Sequence, residues 1–311
     1  MNKKPANVAA SVHQQLLNLA HKRYENFNLV LTRYGLERLL YRLGRSEHAD
    51  RFVLKGAMLF AAWTEQIHRP TRDLDFLGLG EASPEALKNV FEQVCQVEVE
   101  PDGLEFDPSS VQVEEIREAQ EYPGLRVRLM GHLGQARVPL QVDVGFGDAI
   151  TPAAKEIEYP TLLDLPRPRI WAYPKESMVS EKLEAMVVLG MANSRMKDFY
   201  DLWVLSMRFS FDGRTLVQAI QATFERRRTL IPDGAPTGLS AAFAADTDHS
   251  KQWRAFLDKS GFGDKETTLS DVIQELQTFL LPPLEAAVQK DPFPLYWKAG
   301  GPWSQKSKAR A

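Results

Sequence analysis

The chain has 311 residues, of which 44% are hydrophobic and 25% are charged. These proportions are those of a soluble globular protein with room for about two domains. Thirty-eight Lys and Arg residues against 41 Asp and Glu residues give a formal net charge of -3, which excludes a chain-wide positive field for nucleic acid. The single cysteine, Cys95, excludes an intrachain disulfide and a cysteine-based metal site. With no apolar run long enough for a signal or a membrane span, we expect a cytoplasmic protein that binds no membrane.

The first 48 residues are predicted to be helical. In residues 11–44, apolar side chains recur at the spacings of an amphipathic helix, and Gly44 has the position of a C-cap. The pattern fits one long helix or two shorter ones. We expect residues 1–48 to pack on the domain that follows.

Short strands and helices alternate in residues 49–165. Residues 51–54 and 73–77 are predicted strands, with a short apolar helix over 57–63 between them. Ser83 is placed to cap a helix that runs to about residue 96. Further strands are predicted, the last two as a hairpin, over 97–100, 111–116, 125–133 and 138–145. This region is therefore predicted to be a mixed, mostly antiparallel sheet with flanking helices.

From residue 166 onward the pattern is almost wholly helical. A proline-spaced segment over 165–169 has the composition of a connector between domains. Beyond it, helices are predicted over 175–191, 197–209, 213–228, 250–259 and 269–289. We therefore predict an α+β protein with a C-terminal helical bundle over residues 166–290. Residues 291–311 mix Pro, Gly and basic residues without periodicity, so we expect a flexible tail there.

Two aspartates on one predicted strand form the sharpest local feature. Side chains two positions apart on a strand face the same side, so Asp73 and Asp75 project together while Leu74 and Phe76 face the core. Two carboxylates held this close repel each other unless a hard cation such as Mg²⁺ neutralises them. A pair of solvated acids beside a turn is the alternative for an isolated Asp-x-Asp sequence.

Residues on both sides of this pair favour the metal site. Upstream, Lys55, Gly56 and Ala57 end a strand and open a helix, whose backbone N–H groups can bind a phosphate. Downstream, Asp143 lies in an otherwise apolar strand, either as a third ligand or as the partner of a nearby arginine. Three carboxylates beside a phosphate-sized niche are typical of metal-assisted phosphoryl or nucleotidyl transfer.

Four segments in order resemble the AbiEii family of nucleotidyltransferase toxins, within the polymerase-β-type nucleotidyltransferase superfamily. They are Leu54-Lys55-Gly56-Ala57, Thr71-Arg72-Asp73-Leu74-Asp75-Phe76, Ser180-Glu181-Lys182-Leu183-Glu184-Ala185 and Arg195-Met196-Lys197-Asp198-Phe199-Tyr200-Asp201-Leu202. Each segment alone is a weak signal, and their order and spacing make the match specific. Ala57 departs from the superfamily pattern, which commonly has a second Gly or a Ser there, so only a backbone contact to phosphate is expected at this position.

The resemblance implies a magnesium-dependent enzyme in which Asp73 and Asp75 hold Mg²⁺, Lys182 contacts the nucleotide phosphates and Asp198 completes the site. Further nucleotide contacts are expected from Lys55, Gly56, Ala57, Arg72 and Asp201, and a further metal ligand in Asp143. From the sequence alone, a lysine between two glutamates on a helix is also typical of a surface salt bridge. An aspartate at a helix start is equally typical of the helix dipole.

Arginines outside these segments are candidates for binding an acceptor. Arg167 and Arg169 lie in the proposed connector. Arg226, Arg227 and Arg228 close a predicted helix, where cations also suit the C-terminal end of the dipole. The alternative for this cluster is contact with RNA phosphates.

We predict transfer of NMP from an NTP to an acceptor hydroxyl, with release of pyrophosphate. The family implies an RNA acceptor, the 3′ end of tRNA, and a role as a toxin in phage defence that is countered by a cognate antitoxin. Transfer to a small molecule such as an aminoglycoside, or to a protein side chain, is the alternative within enzymes. A catalytically silent nucleotide-binding protein is the alternative outside them.

Overall fold

The computed structural model describes residues 7–64, 69–116, 124–261 and 266–306. The chain divides into unit 1, which comprises Met1–Gly147 and Lys155–Ala172, and unit 2, which comprises Asp148–Ala154 and Tyr173–Ala311. The proline-spaced segment over 165–169 thus lies inside unit 1. It leads into a strand of the unit 1 sheet, and the chain enters unit 2 first at Asp148–Ala154 and again from Tyr173.

A mixed sheet forms the centre of unit 1. In the described ranges it has seven strands: β1 Phe52–Lys55, β2 Asp73–Gly78, β3 Leu104–Ile116, β4 Gly124–Leu133, β5 Ala136–Phe146, β6 Lys155–Glu158 and β7 Arg169–Ala172. Their order is β3-β4-β5-β2-β1-β7-β6. The pairs β2–β5 and β1–β7 are parallel, and the remaining neighbours are antiparallel. Because β2 and β5 are not consecutive, strands far apart in sequence become neighbours at the centre of the sheet.

Helices pack on this sheet: α1 Val8–Arg23, α2 Phe27–Arg45, α3 Met58–Thr64 and α4 Pro84–Cys95. The N-terminal helical pattern forms two helices, because Tyr24 takes a left-handed conformation and the Asn26 side chain caps α2. Gly35 brings α2 close to Val138 and Leu140 on β5. Ser83 caps α4, as predicted.

The predicted strand over 97–100 is wrong. Its Val-Glu alternation imitates a strand, but the Val97 amide donates to the Val94 carbonyl and continues the turn that ends α4. The next strand, β3, begins only at Leu104, after Asp102. The Asp102 carboxylate accepts a hydrogen bond from Arg42 at 2.7 Å and another from the Leu104 amide at 3.0 Å, so this anchor, rather than the alternating pattern, sets the start of the strand.

Unit 2 is mainly helical, with α5 Lys175–Leu189, α6 Met196–Arg208, α7 Gly213–Arg226, α8 Ala241–Ala245, α9 Thr247–Ser260 and α10 Leu269–Gln289. The predicted α+β class, with a mixed sheet followed by helices, is confirmed. Across the described ranges, no helix combines the length and the apolar character that a membrane crossing requires.

The expectation of a flexible tail is wrong for residues 291–306. There the chain forms β9 Leu295–Trp297 and β10 Trp303–Gln305, which pair with each other and with β8 Phe211–Asp212. Trp297 is fully buried, and its indole N–H donates to the Ser206 carbonyl at 2.8 Å. Burial of aromatic side chains therefore orders a segment whose Pro and Gly content suggested otherwise. Residues 307–311, also assigned to the tail, lie outside the described residues.

Candidate active site

The sheet register places the predicted acidic residues side by side. Asp75 on β2 lies opposite Asp143 on β5, and each has a basic residue on its other side. Lys55 on β1 pairs with Asp75, and Arg126 on β4 pairs with Asp143. Directly paired residues project from the same face of a sheet. The four side chains therefore form one row across four neighbouring strands, with the two carboxylates in the middle.

Asp73 joins this row to complete a group of three carboxylates. One oxygen from each of Asp73, Asp75 and Asp143 can be chosen so that all three lie within 4.8 Å of one another, and all three residues are half-buried. An oxygen-only donor set of this size suits a hard divalent cation. We call Asp73, Asp75 and Asp143 the carboxylate triad.

Neighbouring side chains hold two members of the triad in place. Arg126 donates two hydrogen bonds to Asp143, from Nε at 2.8 Å and from Nη2 at 2.7 Å. Gln141 Nε2 donates to the same carboxylate at 3.2 Å. Thr71 Oγ1 donates to Asp73 Oδ1 at 2.6 Å. The sequence left Asp143 as either a site member or the partner of an arginine. The structure pairs it with Arg126 and also brings it close to Asp73 and Asp75.

Gly56 allows the Asp75 carboxylate to approach the backbone. Its φ of +74° is in the left-handed region, and a Cβ at this position would lie 2.8 Å from Asp75 Cγ. A side chain here would therefore clash with Asp75 and also strain the backbone. The sequence predicted that Gly56 permits the close approach of a phosphate. In the structure, the Asp75 carboxylate makes this close approach to Gly56. Of the other residues predicted to contact the nucleotide, Lys55 is half-buried, Ala57 is buried and Arg72 is exposed.

A second group of predicted site residues lies in unit 2. Lys182 on α5 donates to Asp198 Oδ1 at 2.6 Å and forms an ion pair with Asp201 at 2.9 Å. Arg195 approaches the other Asp198 oxygen at 2.6 Å. Asp198 and Asp201 are three residues apart on α6 and so share a helix face. We call Lys182, Arg195, Asp198 and Asp201 the lysine cluster.

The two aspartates of the lysine cluster are enclosed, its Arg195 side chain is 36% exposed, and its formal charges balance. The side chains of Asp198 and Asp201 are 1% and 0% exposed, and that of Lys182 is 12% exposed. Burial alone would raise the pKa of Asp198, but Lys182 and Arg195 hold it below its usual value. Both aspartates are therefore described best as partners that orient Lys182.

Arg227 is held by acidic side chains of unit 2. Its guanidinium donates to Glu184 at 2.8 Å and to Asp148 at 2.9 Å. Burial alone would lower the pKa of Arg227, but Glu181 and Asp148 raise it overall. Arg226 and Arg228, by contrast, are exposed.

The two remaining candidates for acceptor binding, Arg167 and Arg169, are exposed residues of unit 1. Arg169 lies on β7 and donates to Glu156 at 3.0 Å. The five predicted acceptor arginines are thus divided between the two units.

The contact between Arg126 and Asp143 was missed by sequence reasoning, although a signal for it exists. In the β4–β5 hairpin, Leu133 pairs with Ala136 across the turn formed by Gly134 and Gln135. Arg126 lies eight residues before Gly134, and Asp143 lies eight residues after Gln135. A hairpin with this turn therefore brings the two side chains opposite each other. The partners of Arg227 carry no comparable signal, because Asp148 and Glu184 lie in separate segments.

The chain is similar to two solved structures and to one family model. Two crystal structures from Helicobacter pylori, JHP933 and a protein described as a candidate nucleotidyltransferase, each align with 82% of this chain at 15% identity. The alignments cover 91% and 94% of those two proteins' chains, with TM-scores of 0.47 and 0.45. No curated protein sequence matches the chain significantly. The family model described as nucleotidyl transferase AbiEii toxin, type IV toxin–antitoxin system, matches residues 38–290, and the chain therefore belongs to the AbiEii nucleotidyltransferase family.

Proposed function

We propose that this nucleotidyltransferase uses Mg²⁺ to transfer NMP from an NTP to the 3′ end of tRNA, as the toxin of a pair that a cognate antitoxin counters. The observation that carries the proposal is the carboxylate triad, which places three oxygen ligands within 4.8 Å of one another on neighbouring strands. Family membership supports the toxin role and the antitoxin partner.

The proposed reaction is an in-line substitution at the α-phosphorus of the NTP. The acceptor hydroxyl oxygen bonds to phosphorus, its proton passes to a triad carboxylate or to water, and pyrophosphate leaves with the electrons of the broken P–O bond. When bound, the metal neutralises phosphate charge and makes the hydroxyl more acidic. Asp73, Asp75 and Asp143 hold the ion, Arg126 and Thr71 keep two of these carboxylates oriented, and Gly56 leaves room for Asp75.

In this proposal the lysine cluster supplies a positive charge to the nucleotide phosphates. Lys182 would contact phosphate, as the resemblance implies. Its side chain is 12% exposed and that of Arg195 is 36% exposed, while both aspartates are enclosed. A fixed charge opposite a transferring phosphate offsets the charge that develops in the transition state. Asp198 and Asp201 keep the ammonium group in position.

The acceptor assignment rests on family membership and on exposed arginines. Arg167, Arg226 and Arg228 are exposed and offer charge to an RNA backbone. A pocket-bound small acceptor would not need such a surface.

The direct test incubates the purified chain with Mg²⁺, each labelled NTP in turn and total tRNA, with and without EDTA. We expect label on the tRNA 3′ end from at least one NTP, and none with EDTA. Asp75→Asn should lower the rate at least about a hundredfold without lowering the melting temperature, because it removes one of three mutually repelling charges. Glu105→Gln, an exposed carboxylate of the same sheet, is the matched control. Full activity of Asp75→Asn would contradict the metal site, and label on other acceptors alone would contradict tRNA.

A further inference from the structure

A cavity in unit 1 lies beside the carboxylate triad. It encloses about 70 Å³ and is open to solvent. Its lining includes three arginines: Arg23 at the end of α1, Arg33 on α2 and Arg69 before β2. The apolar part of the lining is Ala57, Met58, Ala61, Pro160 and Leu162.

Arg33 carries an unsatisfied donor at this cavity. The residue is 8% exposed, and its Nη1 donates to Glu25 at 2.7 Å. Its Nη2 is buried and has no acceptor among the residues that the structure describes. A buried guanidinium donor without an acceptor costs free energy that an oxyanion in the cavity would recover. The arrangement therefore favours an anionic ligand.

The one acidic residue on the described cavity wall does not cancel this preference. The Glu37 carboxylate accepts from the Leu162 amide at 2.7 Å and lies 3.0 Å from Arg38 Nη2. Burial also raises the pKa of Glu37 to about 7. Its charge is thus either neutralised by Arg38 or absent, and the wall remains cationic.

The cavity is linked to the triad through one side chain. Thr71 lines the cavity, and the same residue donates to Asp73 at 2.6 Å. Ala57, which follows Gly56 directly, also lines the cavity. A ligand in the cavity would therefore lie next to the reacting groups.

An exposed aromatic residue follows Arg23 directly in the chain. Tyr24 takes the left-handed conformation that ends α1 and is 98% exposed. Proteins that bind single strands combine cationic side chains with aromatic side chains on which bases stack. Tyr24 is therefore available to a strand whose phosphate is bound by the cavity.

We propose that this cavity binds a phosphate group of the acceptor strand, with Arg33 as the buried donor and with Arg23 and Arg69 at its entrance. The inference rests on the proposed function only in assigning the phosphate to the acceptor. A phosphate of the free NTP has the same chemistry, and the experiment separates the two sources.

The test measures binding without turnover. The full chain is compared with the variants Arg23→Gln, Arg69→Gln and Arg33→Lys. For each protein, binding affinity is measured with three probes: a fluorescent single-stranded RNA, a non-hydrolysable NTP analogue and inorganic phosphate. Each Gln variant should weaken RNA binding about tenfold and reduce the salt dependence by about 0.7 in log–log slope. Arg33→Lys, which keeps the charge and the pairing with Glu25, should weaken RNA binding while its melting temperature shows that it folds. Arg45→Gln, an exposed arginine about 18 Å farther along α2, is the matched control.

Each outcome decides one part of the inference. Weaker binding of the NTP analogue with unchanged RNA binding would keep the phosphate site and overturn its assignment to the acceptor. Unchanged affinity for all three probes would overturn the site itself. Arginine-dependent RNA binding in a protein that transfers nothing to RNA would contradict the proposed function and the acceptor assignment, and would leave the phosphate site standing.

Discussion

The carboxylate triad and the lysine cluster contain the same kinds of residues but differ in charge balance and burial. The triad has three half-buried acids, with Arg126 hydrogen-bonded to one and Lys55 opposite another in the register. The lysine cluster has two cations and two enclosed acids. A group with excess charge near the surface is completed by a ligand, whereas enclosed acids are neutralised by the cations that hold them. Loss of a triad residue should therefore lower catalysis without unfolding the chain, whereas loss of a cation of the lysine cluster should also destabilise the fold.

The largest effect is expected when the lysine cluster loses its central cation. Lys182→Met leaves Asp198 and Asp201 enclosed without their shared partner, which should lower the free energy of unfolding by about 3 to 5 kcal/mol. Urea unfolding with fluorescence detection measures this. Lys197→Met, an exposed lysine on α6, should leave stability within about 0.5 kcal/mol. An unchanged unfolding midpoint with lost turnover would show that Lys182 acts on the nucleotide alone. The lysine cluster would then not differ from the carboxylate triad in its effect on folding.

A smaller effect is expected from the arginine that orients Asp143. Arg126→Gln removes two hydrogen bonds to this carboxylate and should lower the transfer rate about tenfold. The metal concentration for half-maximal rate should change as well, which a purely structural role would not produce. Arg128→Gln, two residues away on β4 and paired with Glu114, is the control. Equal rates for the two variants would show that Asp143 needs no orientation.

The smallest effect concerns acid stability. Because the pKa of Asp198 is lower in the folded state than its usual value of 3.8, its ionised form contributes stability above that pH. This contribution decreases as the pH falls below about 4. The stability difference between the natural chain and Asp198→Asn should therefore narrow from pH 6 to pH 3, as measured by hydrogen exchange of the α6 amides. A constant difference would show that the lysine cluster does not depend on the charge of Asp198.

Local patterns predicted most of the fold but not its long-range contacts. Helix α10 begins and ends at the predicted residues, and the hairpin of β4 and β5 follows from alternation and a turn. The formation of strands β9 and β10 was not predicted. Trp297 is buried by contacts with α6 and α10 and not by its own neighbours in sequence.

The candidate site likewise has features that local sequence patterns predict and features that depend on long-range contacts. The pairing of Asp73 with Asp75 is a property of one strand and is visible in the sequence. The pairing of Asp75 with Asp143 depends on the parallel contact of β2 and β5, which no local pattern specifies. The ion pair of Lys182 with Asp201 likewise depends on how α5 packs against α6.

The parallel pairing of β2 with β5 also determines when the carboxylate triad can form during synthesis. The chain between these strands must first leave the ribosome and form β3 and β4, since Asp143 comes 68 residues after Asp75. Closing so long a loop is slow compared with forming helices. A nascent or truncated chain that ends before residue 143 lacks one carboxylate of the triad. Under the proposed function, such a chain lacks a metal ligand and transfers no nucleotide.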